Sequence, residues 1–195
     1  MSMWKLKEPK PAKLIVGILA SNYHCLNAAA ELLTDKLGNT DFKSEVWPFD
    51  KTDYYKEQTG PRILRQFLSF ERLVEPGRLA RVKLRTNKLE RKLAKKLAFP
   101  LPRPVNLDPG IIEPSKLVLA TTKNYSHRIY IGRKMYAEVT LIYDKGCWRP
   151  LDHTYPDYRQ QCYFDFFENV RARLLEQLKL FERKKLYRRH RKRQA

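Results

Sequence analysis

Glycine is scarce in this chain, with 7 glycines among 195 residues. The sequence contains no G-x-x-x-x-G-K-[ST], no G-x-G-x-x-G and no G-x-S-x-G motif. These motifs use glycine to bring the backbone close to a phosphate group or to turn sharply before a nucleophile. Their absence argues against P-loop nucleotide hydrolysis, a Rossmann cofactor site and the nucleophile elbow of an α/β-hydrolase.

Cysteine and long apolar runs are also limited. The 3 cysteines contain no C-x-x-C pair, so neither a disulfide framework nor a zinc ribbon is supported. The 4 histidines show no i, i+4 pair of ligands, so we assign no metal ligands, and the cofactor is left unassigned. No apolar run approaches the ~20 residues of a membrane-spanning helix. We therefore expect a cytoplasmic protein without a transmembrane segment.

Positive charge, by contrast, is in excess. Lysine and arginine total 40 against 21 aspartates and glutamates, which gives a net charge of +19. Such a balance favours anionic partners, either an anionic small molecule or RNA. Residues 182–195 contribute 8 basic residues and 1 acidic residue. This segment is either a solvated basic tail or a contact for a phosphate backbone.

The length and the 43% hydrophobic content predict one globular domain. We expect a flexible basic lead-in over residues 1–12, a single α+β domain over residues 13–181 and a basic C-terminal tail over residues 182–195.

Apolar patterns predict the order βαββαβ for the first part of this domain. The predicted strands are residues 14–20, 43–49 and 66–74 and a strand that ends at Asp108, before a turn at Pro109-Gly110. The predicted helices are residues 26–37, closed by Gly38, and residues 76–97. This order is that of the split βαβ, or ferredoxin-like, arrangement.

Three further elements extend this core. We predict a short helix over residues 115–123 and a β-hairpin of residues 127–131 and 136–143. Tyr163 to Phe181 supply the apolar stripe of a long C-terminal helix. The predicted fold is an α+β domain with a ferredoxin-like core, a hairpin and this helix.

The helix predicted at residues 76–97 has a basic outer face, to which we also assign Lys83. Clustered lysine and arginine suit contacts with a phosphate backbone, which give affinity without sequence specificity. The residues that would form a nucleic-acid site are Arg85, Lys88, Arg91, Lys92, Lys95, Lys184, Lys185, Arg188, Arg189 and Arg191.

Motifs that occur in order along the chain resemble a known family. They include PFD at 48–50, DYY at 53–55, FLSF at 67–70, NLDPG at 106–110, KLVLATTK at 116–123, HRIY at 127–130, YAEVTL at 136–141 and YPDY at 155–158. Together they look like the uncharacterised prokaryotic domain-of-unknown-function family DUF4416, over about residues 14–176. The resemblance implies no particular activity, and the basic tail looks like an addition of this member.

The densest set of reactive side chains lies in residues 104–159. Two carboxylates there would hold a divalent cation or act as an acid/base pair, with a histidine that titrates near neutrality and a lysine that counters phosphate. The catalytic candidates are Asp108, His127 and Glu138. The ligand-binding candidates are Asp50, Asp53, Tyr54, Asn106, Asp108, Lys116, Lys123, His127, Arg128 and Tyr158. The pattern leaves both an enzyme and a binding module open.

Each catalytic candidate also has a structural alternative. Asp108 either projects past the sheet into a ligand crevice or caps the predicted turn. His127 either serves the site or bonds to a neighbouring loop. Glu138 needs a cationic partner if its strand face is covered and none if that face is exposed. That partner would be Lys116, Lys123 or Arg128.

Overall fold

Nine strands of the described chain form one antiparallel sheet. The computed structural model describes Leu6, residues 8–49, Thr59, residues 63–98, Pro100 and residues 102–194, with side chains as far as Arg183. The strands are β1 (Ala12–Ala20), β2 (Thr40–Lys43), β3 (Trp47–Phe49), β4 (Ile63–Val74), β5 (Val105–Glu113), β6 (Lys116–Thr121), β7 (Ile129–Tyr130), β8 (Tyr136–Asp144) and β9 (Cys147–Pro150). Their order is β2-β4-β1-β5-β6-β8-β7, with β3 beside β4 and β9 beside β8.

Three α-helices accompany this sheet in the described residues, namely α1 (Tyr23–Leu37), α2 (Leu79–Leu97) and α3 (Gln161–Gln194). Two short 3₁₀ helices, Pro76–Arg78 and Pro156–Arg159, precede α2 and α3. The protein is thus a single domain of mixed α and β structure, as the composition and patterns predict. No helix in the described residues combines the length and apolar character that would let it cross a membrane.

The first part of the sheet consists of two interlocked βαβ units. Strand β4 is antiparallel to both β1 and β2, so it lies between the two strands of the β1-α1-β2 unit. Strand β1 is antiparallel to both β4 and β5, so it lies between the two strands of the β4-α2-β5 unit. The strands of each unit are therefore parallel and separated by a strand of the other unit.

Helices cover both faces of the sheet at β1, which explains why all 9 of its residues are buried. Leu14 and Val16 point to the face that packs against α1 and α2. Ile15 points to the opposite face, where it packs with Phe67 and with the stripe of α3 that includes Phe167. A strand covered on both faces has no need for alternating polar residues.

Local signals place the ends of α1. The Asn22 side chain accepts a hydrogen bond from the Cys25 backbone N–H at 2.9 Å, which caps the first turn. Gly38 follows the helix with a φ of 106°, a value that favours glycine, and its N–H donates to the Thr34 carbonyl at 3.0 Å. The prediction that Gly38 closes this helix is confirmed.

Two predicted elements are wrong. Residues 116–121 form strand β6 instead of a helix, because Leu117 and Leu119 alternate into the core and pair with β5 and β8. The predicted turn at Pro109-Gly110 is absent, because β5 pairs with β1 through this dipeptide and continues to Glu113. Gly110 instead permits a close approach, since a Cβ atom there would lie 2.7 Å from the Val118 carbonyl oxygen.

Other boundaries also shift. The strand predicted at residues 43–49 is two short strands, β2 and β3, and β4 begins at Ile63, three residues before the predicted start. Strand β7 is 2 residues long and pairs with β8. Helix α3 continues to Gln194, while its buried stripe ends at Leu178. The lead-in and the tail remain predictions, since much of residues 1–12 and the side chains after Arg183 lie outside the description.

Candidate functional site

Strands β5 and β6 separate at Pro109, and this separation opens a cleft in the sheet. Their pairing covers Gly110 to Glu113 of β5, whereas β5 pairs with β1 from Val105 onwards. Proline has no N–H to donate to a neighbouring strand. The first half of β5 therefore has a strand on one side and a cavity on the other.

This cavity has a volume of about 570 Å³, which is within the range of small-molecule sites. Its walls come from α2, β4, β5, β6, β8 and the 3₁₀ helix Pro156–Arg159. Six cationic and four carboxylate side chains line it: Arg65, Lys83, Arg91, Arg103, Lys123, Arg128, Glu90, Asp108, Glu138 and Asp157. The charge balance of the lining is positive.

Side chains of α2 satisfy the open edge of β5. Glu90 Oε1 accepts a hydrogen bond from the Leu107 N–H at 2.9 Å, and Lys83 Nζ donates to the Leu107 carbonyl at 2.8 Å. These are the groups that a paired β6 would otherwise bind. Lys83 is 5% exposed, so its assignment to the outer basic face of the helix is wrong. Because β5 and β6 separate here, the Lys83 ammonium group points inward and binds the Leu107 carbonyl.

Asp108 lies in the wall of the cavity, at the centre of a polar cluster. Its Oδ2 accepts a hydrogen bond from Asn106 Nδ2 at 2.6 Å, and its Oδ1 is 3.5 Å from Lys83 Nζ. The Asn106 side-chain oxygen in turn accepts a hydrogen bond from Arg103. Because Asp108 sits within β5, the alternative that it caps a turn is wrong. Its side chain remains 25% exposed.

Arg65 is the most deeply buried cation of the cavity wall, with 2% exposure. Its Nη2 donates to Asp157 Oδ2 at 2.8 Å, and its Nη1 is 3.8 Å from Asp108 Oδ2. Gly17 of β1 makes room for the guanidinium, since a Cβ atom there would lie 2.9 Å from Nη1. Burial raises the pKa of the Asp157 carboxyl despite the opposing charge of Arg65, and the nearby Asp108 raises it further.

Aromatic rings enclose the Arg65 guanidinium. Its Cζ lies 5.0 Å from the ring centroid of Phe49, 5.3 Å from that of Phe67 and 5.7 Å from that of Tyr158. Such contacts stabilise a cation whose hydration has been removed. The rings thereby hold the charge in place without neutralising it.

Some buried polar atoms of the wall lack hydrogen-bond partners. Among the described residues, Arg65 Nε and Nη1 and the Tyr158 hydroxyl are buried and have no hydrogen-bond partner. Burial raises the pKa of Tyr158 well above its ordinary value, so the hydroxyl keeps its proton. Buried polar groups almost always have a partner. These atoms are closed to solvent, so they belong to the packed wall and not to the open space of the cavity.

Glu138 of β8 is 3% exposed and has its predicted kind of partner. Arg128 Nε donates to Glu138 Oε2 at 2.7 Å, and His127 Nε2 lies 3.1 Å from the same oxygen. Arg128 Nη2 also donates to the Tyr155 hydroxyl at 2.8 Å. The His127 ring stacks on His153, with ring centroids 4.2 Å apart. Of the two alternatives for Glu138, the covered face with a cationic partner is confirmed.

A family model described as Domain of unknown function (DUF4416) matches residues 10–174 of the chain. The chain belongs to this family. No curated protein and no solved structure showed a match to it. The DUF4416 match covers all nine strands of the described sheet and ends at residue 174, within α3 and before Leu178. The cavity therefore lies inside the family domain.

The DUF4416 domain brings together five of the ten predicted ligand-binding residues. Asn106, Asp108, Lys123, Arg128 and Tyr158 all line the cavity, as does the catalytic candidate Glu138. Their roles in binding and catalysis remain predictions. No group of three or more His, Cys, Asp or Glu side chains suited to a metal ion occurs within the described ranges.

Other candidates lie elsewhere. Lys116 is at the far end of β6, 3.3 Å from Glu113, and it does not line the cavity. His127 contacts Glu138 without lining the cavity. The candidates Asp50, Asp53 and Tyr54 fall outside the described residues.

The predicted basic face of α2 is present. Its assigned residues Arg85, Lys88, Arg91, Lys92 and Lys95 are all exposed. The other assigned residues, Lys184, Lys185, Arg188, Arg189 and Arg191, lie on α3, where side chains fall outside the description.

Sequence reasoning assigned no role in the cavity to Arg65, Glu90 or Arg103. A signal existed for Arg65, because an arginine two residues before the buried run FLSF needs a partner if the strand extends to it. Glu90 is the single acidic residue of α2, which also sets it apart from its neighbours.

Proposed function

We propose that this DUF4416 domain binds a small anionic ligand, phosphorylated or nucleotide-like, in the cavity between β5 and β6. The observation that carries the proposal is the positive charge balance of the cavity lining, with six cationic side chains against four carboxylates. A phosphate or carboxylate group in the cavity would supply the negative charge that such a lining favours and would accept charge-assisted hydrogen bonds from its cations.

Three of the four carboxylates of the lining are closely paired with cations, which limits their repulsion of such a ligand. Asp157 pairs with Arg65 at 2.8 Å, and Glu138 pairs with Arg128 at 2.7 Å. Glu90 pairs with Arg103, also at 2.8 Å. Arg91, an exposed residue at the edge of the same cavity, adds positive charge.

Asp108 is the strongest of the three candidates for contact with a reacting group. Its side chain is 25% exposed, whereas that of Glu138 is 2% exposed and is held by Arg128 and His127. A general acid or base must reach the proton that it transfers. If the domain is an enzyme, we expect Asp108 to act in proton transfer and Glu138 to position Arg128.

Ligand-dependent stability tests the proposal. Thermal unfolding of the full chain would be followed with pyrophosphate, adenosine monophosphate and uridine monophosphate. A ligand present at about 100 times its Kd adds about 2.7 kcal/mol to the free energy of unfolding. We expect at least one of these anions to raise the Tm, while choline at the same ionic strength leaves it unchanged.

Arg91→Gln provides the matching variant, with Arg81→Gln as its control. Both residues are exposed on α2, but Arg91 lines the cavity and Arg81 does not. We expect Arg91→Gln to weaken binding and Arg81→Gln to leave it unchanged. Equal losses in both variants would mean that the anion responds to overall charge, which would contradict a site in the cavity.

A second candidate function is binding of RNA by the basic face of α2 and by the end of α3. It is favoured by the exposure of five assigned cations on α2, where Glu90 is the only acidic residue. A salt series would compare the full chain with a chain that ends at Phe181, which keeps the buried stripe of α3 through Leu178. Loss of all RNA binding on truncation would argue against a role for α2.

The arrangement of β1, α1, β2, β4, α2 and β5 also supports the ferredoxin-like proposal. Strands β2, β4, β1 and β5 are neighbours in that order, and the two helices of their βαβ units pack on the same face. This interlocking is what the split βαβ arrangement describes. The proposal that β7 and β8 form a hairpin is supported by their antiparallel pairing at Ile129 and Tyr130.

A further inference from the structure

The basic face of α2 and the cavity are parts of one surface, and Arg91 belongs to both. Arg91 lines the cavity and is exposed on the outside of the helix. Lys95 follows it by four residues and Lys88 precedes it by three, so the three side chains lie on one stripe. All three are exposed. A path of positive charge therefore leads from the cavity along the helix.

This path spans a useful length. Residues 88–95 extend over about 10 Å of helix, and successive cations are separated by about one turn of 5.4 Å. The stripe carries no carboxylate, because Glu90, the only acidic residue of α2, faces Leu107 and Arg103. A chain of linked anionic groups can follow such a stripe, whereas a single small anion uses only its end.

The other basic residues of α2 have different surroundings. Asp35 of α1 interacts electrostatically with Lys92 and Arg85 and lies on the opposite side of the helix from the cavity wall formed by Lys83. These two cations already have a nearby carboxylate. The stripe next to the cavity, Lys88, Arg91 and Lys95, is thus distinguished from the rest of the basic face.

An aromatic ring stands at the cavity wall as well. Tyr155 lines the cavity with 46% exposure, and its hydroxyl is held by Arg128 at 2.8 Å. A fixed and partly exposed ring offers a surface on which a base can stack. The cavity contains cationic donors for a phosphate, its wall carries an aromatic ring, and a cationic stripe continues outside it along α2. These features match the phosphate, the base and the following phosphates of a nucleotide at the end of a chain.

We propose that the ligand of this cavity is the phosphorylated end of a single-stranded nucleic acid. The terminal phosphate lies within the cavity, among its cationic side chains, and the next phosphates contact Arg91, Lys88 and Lys95. This inference rests on the proposed function, since it names the class of molecule that the same cavity binds. It differs from general RNA binding because the end of the strand, and not its length alone, determines affinity.

Fluorescence anisotropy with the full chain tests the inference. The probes are oligouridylates of about eight nucleotides, within the range of single-strand sites. They carry a 5′-phosphate, a 3′-phosphate or no terminal phosphate, and uridine monophosphate competes with each. We expect one terminal phosphate to strengthen binding at least tenfold and the mononucleotide to bind at least tenfold more weakly than that oligonucleotide.

Two double variants separate the stripe from the rest of the helix. K88Q/K95Q removes two contacts next to the cavity, and R85Q/K92Q removes the same charge on the side near Asp35. Each phosphate contact with a single strand contributes about 0.7 to the slope of log K against log salt. We expect K88Q/K95Q to reduce this slope by about 1.4 and R85Q/K92Q to reduce it much less. Thermal unfolding verifies that both variants are folded.

The outcomes distinguish this inference from the function on which it rests. If uridine monophosphate binds as tightly as the phosphorylated oligonucleotide, the strand does not extend along α2, and only the cavity proposal stands. If neither terminal phosphate changes affinity, or if both double variants lose the same slope, the inference is overturned. If no phosphate-bearing probe binds and no anion raises the Tm, the proposed function fails as well.

Discussion

Replacement of Gly110 by alanine tests the packing that creates the cavity. A Cβ atom at this position would lie 2.6 Å from Leu119 Cδ2 and 2.7 Å from the Val118 carbonyl oxygen. The leucine methyl can rotate, but the carbonyl belongs to the strand that pairs with β5. Ordinary contact begins at 3.4 Å, so the β6 backbone has to move by about 0.7 Å.

Overpacking of this kind costs about 1–3 kcal/mol. For a chain of this length, each kcal/mol lowers the Tm by roughly 2–4 °C. We therefore expect Gly110→Ala to reduce the free energy of unfolding by about 1–3 kcal/mol in denaturant titrations. Hydrogen exchange should also accelerate at the amides of β6, because the displacement falls on that strand.

Gly77→Ala is the matched control for this variant. The nearest atom to a Cβ there is Glu75 Oε1 at 3.4 Å, and this carboxylate is at the end of an exposed side chain. We expect no loss of stability in Gly77→Ala, since less freedom in the unfolded chain favours the alanine. If Gly110→Ala were as stable as wild type within about 0.5 kcal/mol, the close approach of β6 to β5 would be refuted.

Three further predictions concern two buried groups outside the cavity, Lys13 and Cys25. Lys13 is fully buried, pairs with Asp41 and donates to Gln177 Oε1 of α3 at 2.7 Å. Lys13→Ala should therefore lower the free energy of unfolding by about 3 kcal/mol. Lys10→Ala, which removes an exposed ion pair, should change this free energy little. Burial lowers the pKa of Lys13, so wild type should gain stability over Lys13→Ala as the pH rises from that lowered pKa toward about 10.4, and titrations that show the opposite trend would contradict it. Burial raises the pKa of the Cys25 thiol, and we expect iodoacetamide to modify the exposed Cys147 in the folded protein and Cys25 only after unfolding, as mass spectrometry would show.

Hydrophobic periodicity was sufficient to predict the elements whose own residues show which sides are buried. The run at residues 14–20 is apolar without interruption because helices cover both faces of β1. The stripe that includes Phe167 and Leu174 predicted α3 because a helix that packs on one face of a sheet buries one side only. These patterns depend on burial alone, and the positions of apolar residues in a sequence indicate burial directly.

Long-range pairing decided the elements that the sequence analysis got wrong. Pro109-Gly110 is a strong turn signal, but β1 binds the whole length of β5 and carries the strand through it. The KLVLAT segment of β6 alternates weakly and was assigned to a helix, yet it lies between β5 and β8. Neither partner strand can be identified from the local residues.

The candidate site was predictable in part for the same reason. Asn106 and Asp108 alternate along β5 and were found from their motif, and both line the cavity. Arg65 was missed because the predicted strand began one residue too late to include it. Lys83 was assigned outward because the sequence does not show that β5 and β6 separate beneath it.

The edge of β5 at Leu107 has a consequence for how the protein behaves in a crowded solution. An unpaired stretch of strand invites another extended chain to add to the sheet, which is a route to aggregation. Here Glu90 and Lys83 already occupy the N–H and the carbonyl of Leu107. A foreign strand would have to displace both side chains from these hydrogen bonds. These two hydrogen bonds therefore oppose the addition of another strand at the gap, while the cavity beside it has room for a small molecule.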